Sequence, residues 1–172
     1  MAAFAGLARR RKIASAGQLR RNGDAAGAAE ELSTVLSEAP DDAAANVEMA
    51  RALHLLGDLP GAEEHYRRAL AAQLEFALVI ELAGIVGQQE RIEEAEELLT
   101  AAEQIAESDK KLDIGEVHFA RAMLAAASGR TADALASLKL VPETSGPQLK
   151  RFAVRLQQSI LAASTNEAAG EP

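Results

Sequence analysis

The side chains able to do chemistry are three histidines (His54, His65 and His118), a dense run of glutamates within residues 90–107, and arginines such as Arg20 and Arg51. A nucleophile turn with its His and acid, a Gly-rich phosphate loop or a metal motif would need these types at set spacings, and none assembles. His54 and His65 could approach one another, but a metal ion needs three or four ligands with contacts behind them. Both therefore read as groove-lining or solvated residues, and His118 as a helix residue with no special task. Glutamates recur so densely that a pair of them is no sign of general acid–base work. Without Cys, thiol catalysis, disulfides and thiolate metal sites drop out. The expectation is a chain that is not an enzyme and uses no cofactor and no metal.

Charge narrows the partners. The net charge is −8, yet the first 21 residues carry six basic side chains and no acid, leaving 12 of the 18 Lys and Arg against all 26 Asp and Glu. An acidic body repels nucleic acid, whose binding relies on neutralising phosphates, so no nucleic acid is expected. Glu90, Glu93, Glu94, Glu96, Glu97, Glu103, Glu107 and Asp109 read as a solvated outer face, or as an attractor of basic groups such as the chain's own Arg9, Arg10, Arg11 and Lys12. A secretory signal sets basic residues before an apolar run, the reverse of this start, and no stretch has the length of a membrane span. A cytoplasmic location follows. Phe4 and Leu7 offer little apolar area for a membrane-surface helix, so contact with a membrane through the basic N-terminus is the lesser reading, beside an N-terminal cap.

The elements that must position these residues are helices. The chain is rich in Ala and poor in aromatic and β-branched residues, which favours close-packed helices over strands. Self-similarity organises them. Gly23-Asp24-Ala25-Ala26-Gly27-Ala28 returns as Gly57-Asp58-Leu59-Pro60-Gly61-Ala62, then as Glu90-Arg91-Ile92-Glu93-Glu94-Ala95 and Gly129-Arg130-Thr131-Ala132-Asp133-Ala134. The final alanines stand 34, 33 and 39 residues apart, the last spacing implying an insertion near residues 107–113. Four residues beyond each comes Leu32, Tyr66, Leu99 or Leu138, and twelve before each comes another alanine: Ala16, Ala50, Ala83 and Ala122. Each unit is thus a helical hairpin whose small residues let two helices approach closely. Gly23, Gly57 and Gly129 suit the left-handed end of a first helix, and Asp24, Asp58 and Thr131 are expected to cap the second. Asp41 and Asp42 offer a cap after Pro40, and Pro60 suits an opening turn.

In this arrangement the chain resembles the tetratricopeptide repeat family, with small residues at the eighth and twentieth positions of a 34-residue unit. The resemblance implies an all-α, right-handed α-solenoid with repeats at 9–42, 43–75, 76–108 and about 115–145. An N-terminal segment (1–8) precedes them, and a closing helix (147–163) and a flexible tail (164–172) follow. The family's usual large fourth residue is replaced by Lys12, Asn46, Val79 and His118. By the same resemblance, a concave peptide-binding groove is lined by Ile13, Val47, Ile80 and Phe119 at fifth positions, by Arg51, Gly84 and Met123 at ninth positions, and by His54 at a twelfth. Ile13, Val47, Ile80, Phe119 and Met123 would bury apolar anchors, while Arg51 and His54 fix polar or acidic flanks. The Lys, Asn and Arg clamp that the family uses on a C-terminal carboxylate is absent apart from Arg51. The implied function is a protein-interaction adaptor holding a peptide or helix of a partner protein. A small chaperone of secreted proteins and a self-assembling scaffold are the alternatives, and the oligomeric state stays open.

Overall fold

A computed structural model of the chain describes residues 2–169. These form nine helices and, among the described residues, no strand. The fold class is all-α, built of solenoid-type helical hairpins. The chain divides into two compact units, the first ending at Glu90 and the second beginning at Arg91. No described helix is long and apolar enough to cross a membrane.

The first unit holds α1 (Ala2–Arg21), α2 (Ala25–Glu38), α3 (Ala43–Leu55), α4 (Leu59–Ala72) and α5 (Phe76–Gln88). α1 pairs with α2 and α3 with α4. The pairs stack through α2 and α1 on α3, and α4 carries α5. The repeat alanines show why the hairpins close: Ala16, Ala28, Ala50 and Ala62 are fully buried. A methyl at the crossing brings the backbones near enough for Leu32, Val35, Met49 and Tyr66 to fill the groove between hairpins. Gly23 and Gly57 end the first helices at φ 91° and 81°. Asp24 then accepts from the Gly27 amide at 2.8 Å, and Asp58 from that of Gly61 at 3.0 Å. Both carboxylates lie where a Cβ on Gly27 or Gly61 would stand, so the glycine inside each repeated phrase makes room for its cap. Asp42 caps α3 through the Ala45 amide. At the end of α5 a glycine is missing, and Glu90 itself adopts the left-handed conformation, φ 63°.

The second unit holds α6 (Ile92–Ser108), α7 (Ile114–Ala127), α8 (Thr131–Lys139) and α9 (Pro147–Ala169). α6 packs on α7, α7 pairs with α8, and α9 lies on both α7 and α8. Ala122, Ala125, Ala134, Leu138, Ala153 and Ile160 form the core between them. The Asp113 carboxylate caps α7 through the Gly115 amide (2.9 Å) and also accepts from the Ser145 hydroxyl (2.7 Å) and the Gly146 amide (3.2 Å). It ties the start of α9 to the start of α7.

Three expectations change. Thr131 is the first residue of α8 and not its cap; Arg130 occupies the capping position, and its side chain makes no capping hydrogen bond. The segment 1–8 is not set apart, because α1 runs unbroken from Ala2 through alanine-rich sequence into the first hairpin. The closing helix extends past 163 to Ala169, into the expected tail, where Ala162, Ala163, Ala168 and Ala169 favour helix. Met1 and residues 170–172 lie outside the described residues.

Candidate interaction surface

In the first unit, α1, α3 and α5 present Ile13, Val47 and Ile80, each half-buried. Ile13 leans on the core formed by Ala16, Leu32 and Met49. Gly84 is exposed, and a Cβ built on it meets nothing within 4 Å, so the surface above α5 is open at that point.

Arg51, expected to receive acidic groups of a partner, is already engaged. Its Nε and a terminal nitrogen donate to the two Glu81 oxygens at 2.9 and 2.5 Å, and the other terminal nitrogen donates to Glu48 at 3.1 Å. Arg20 holds the remaining Glu48 oxygen at 3.0 Å, and the Tyr66 hydroxyl donates to Glu81 at 2.6 Å. Two guanidiniums, two carboxylates and a phenol thus form a charge-balanced ladder across α1, α3, α4 and α5. Forked donation to a carboxylate is the strong form of such a pair. Burial alone would raise the Glu81 carboxyl, but the bonds from Arg51 and Tyr66 and the charge of Arg51 outweigh it and hold it below the ordinary carboxylate range. Arg51 is raised, chiefly by its bond to Glu81 and against the cost of burial. Burial, followed by the bond to Glu81, pushes the Tyr66 phenol up. At neutral pH Glu81 is therefore a carboxylate and Arg51 a cation, while the Tyr66 phenol keeps its proton.

The histidines do not meet in a metal site. His54 Nε2 pairs with Gln88 at 3.1 Å, whereas His65 Nδ1 pairs with the buried Asn46 at 2.7 Å. Asn46 in turn donates to the Pro40 and Asp42 carbonyls. Burial, and next the charge of Arg68, lowers His65. Among the described residues, no three His, Cys, Asp or Glu side chains are grouped to hold a metal ion.

In the second unit Phe119 is half-buried and stacks on Phe152 of α9, ring centroids 6.4 Å apart, so the closing helix covers part of the Phe119 side chain that was expected to meet a ligand. Met123, one turn on, is 52% exposed. His118 is buried in α7, and burial lowers its imidazole. The glutamate run is partly bound within the unit: Arg121 holds Glu96 and Glu103 at 3.1 and 3.0 Å. The basic N-terminal stretch has other partners, with Arg9 on Asp42 at 3.3 Å and Lys12 beside Thr34.

Sequence reasoning singled out the aliphatic residues and Arg51 without Glu48 and Glu81, the carboxylates that engage Arg51. Both follow a fifth-position aliphatic directly, which was the available signal.

The family model described as tetratricopeptide repeat matches residues 19–83. No curated protein matches the sequence. Among solved structures, PilF of Pseudomonas aeruginosa superposes with a TM-score of 0.71 at 20% identity, over 94% of this chain and 71% of that one. PilW, a widely conserved type IV pilus biogenesis factor, gives 0.66 at 19% identity over 90% and 78%. YrrB, a tetratricopeptide protein with an unusual peptide-binding site, gives 0.61 at 20% identity over 90% and 77%. At these identities the likeness is one of fold.

Proposed function

Given that the chain belongs to the tetratricopeptide repeat family, a fold of protein-interaction scaffolds, we propose that it is an adaptor whose first unit binds an apolar segment of a partner protein. Ile13, Val47 and Ile80 would take the anchors, and the open surface at Gly84 would admit the partner's backbone. The observation that carries this reading is the internal neutralisation of Arg51. With both Glu48 and Glu81 on it, a partner carboxylate would have to displace an existing pair, so the inner face favours apolar anchors over a terminal carboxylate. YrrB is a tetratricopeptide protein with a peptide-binding site, which is consistent with such a use of the fold.

The test compares wild type with a Val47→Glu, Ile80→Glu variant, shown by circular dichroism to be folded, in an affinity pull-down from native cell extract. Loss of a specific protein from the variant supports the inner face as the site. An unchanged set of captured proteins refutes it.

A further inference from the structure

We propose that the exposed face of α9 is a second docking surface, separate from the inner face of the first unit, and that it takes an acidic amphipathic helix of another protein. Val154 and Leu161 are seven residues apart, so they stand in line on one side of the helix, and they are 51% and 46% exposed. Arg151 and Arg155, one turn apart and both exposed, run beside that line. Lys150 borders its other edge, its ammonium resting on the Glu143 carbonyl at 2.9 Å. Between Pro147 and Ala163 these three cations are the only charged residues, in a chain of net charge −8.

Two comparisons within the protein describe this face. Arg9, Arg20, Arg51, Arg121 and Arg130 each sit on a carboxylate. Among the described residues Arg151 and Arg155 have no such partner, a state they share with Arg10, Arg11 and Arg21 of α1, but on α9 the free cations flank exposed aliphatic side chains. Aligning Ala153 with Ala122 places Gln148 and Arg155 where α7 buries Val117 and Leu124. α9 is therefore polar where the stacking pattern of α7 is apolar, while Val154 and Leu161 stay aliphatic in the open. A strip of aliphatic side chains edged by cations complements a helix with apolar residues at i, i+3, i+4 and i+7 and glutamates on its flanks.

The experiment titrates the full chain into two fluorescein-labelled helical peptides that share one apolar face, one flanked by Glu and the other by Lys, with anisotropy as the readout. The Glu peptide binds and weakens with added salt, and the Lys peptide binds at least about tenfold more weakly. Arg151→Glu with Arg155→Glu reverses that preference, and Val154→Ser with Leu161→Ser abolishes binding of the Glu peptide. The Val47→Glu, Ile80→Glu variant leaves it unchanged. The four α9 positions are exposed and Val47 and Ile80 half-buried, and circular dichroism checks that each variant folds. Equal binding of the two peptides, indifference to charge reversal, or loss in the Val47→Glu, Ile80→Glu variant overturns the proposal. So does a dimer in sedimentation velocity that the Val154→Ser, Leu161→Ser change dissociates while the Glu peptide fails to bind. Binding to phosphatidylglycerol vesicles but to neither peptide also overturns it, assigning the face to lipid.

Discussion

Replacing Arg51 with Met tests whether the ladder that joins α1, α3, α4 and α5 is a structural strut. The change keeps an unbranched stem of similar reach but removes the bonds to both Glu81 oxygens and the one to Glu48. Glu48 keeps Arg20 and Glu81 keeps Tyr66, so neither carboxylate is left bare. Hydrogen bonds to charged groups contribute roughly 1.5–3 kcal/mol each when well buried. The side chains of Arg51 and Glu81 are about a third exposed, 32% and 33%, and solvent screening reduces that value. The expected loss is about 1–2 kcal/mol for the whole change, or roughly 2–8 °C in Tm at about 2–4 °C per kcal/mol for a chain of this length.

Acid supplies an independent check. The folded-state Glu81 carboxyl is held below its unfolded value, so its contribution is fully present above the unfolded carboxylate pKa of about 4.3 and fades as pH falls through the lower folded value. Differential scanning calorimetry at pH 7 should show the full gap between wild type and Arg51→Met, and at pH 2.5 a smaller one. A variant that melts within a degree of wild type at pH 7 refutes the strut. A gap that widens in acid refutes the sign of the linkage.

Two further substitutions test the turns. Glu90→Gly relieves a left-handed backbone that costs a residue with a Cβ roughly 1–2 kcal/mol, against about 0.5–1 kcal/mol for the greater freedom of Gly in the unfolded chain. A net gain of about 0.5–1 kcal/mol should appear as a raised urea midpoint with the slope unchanged. Gly115→Ala would set a methyl against Ser145 Oγ and the Asp113 carboxylate, and 3.1 Å from Pro142 Cδ. The expected loss is about 1–3 kcal/mol, with hydrogen exchange accelerated at the start of α9.

Periodicity carried most of the fold because the signals it uses are steric. A helix crossing that admits only a methyl leaves the same mark in the hairpins α1–α2, α3–α4 and α7–α8, where Ala16, Ala28, Ala50, Ala62, Ala122 and Ala134 are all fully buried. The turns were legible where chemistry repeats, as in Gly23-Asp24 and Gly57-Asp58, and not where the conformation persists without it. Glu90 keeps the left-handed turn with the wrong residue, and Arg91 and Arg130 hold the capping position although neither side chain accepts a bond from its helix's free amides. For the residues expected to line a groove, spacing could not give their partners. The Arg51 pair joins residues 30 apart in sequence, and the Phe119 stack depends on how α9 returns over α7. Such pairings are tertiary, and one sequence contains no register for them.

Asn46 bears on whether these repeats are interchangeable parts. It stands where a repeat of this kind usually has a large residue, and it is fully buried. Its amide reaches back to Pro40 in the preceding connection and its oxygen reaches forward to His65 of α4. The second hairpin is therefore keyed to the linker before it. Spliced alone into another array it would carry an amide cut for a carbonyl left behind, whereas a segment that begins at Pro40 would bring its own lock. Recombination or design by hairpin would succeed or fail here on the choice of cut point, even though the alanine pattern on either side is the same.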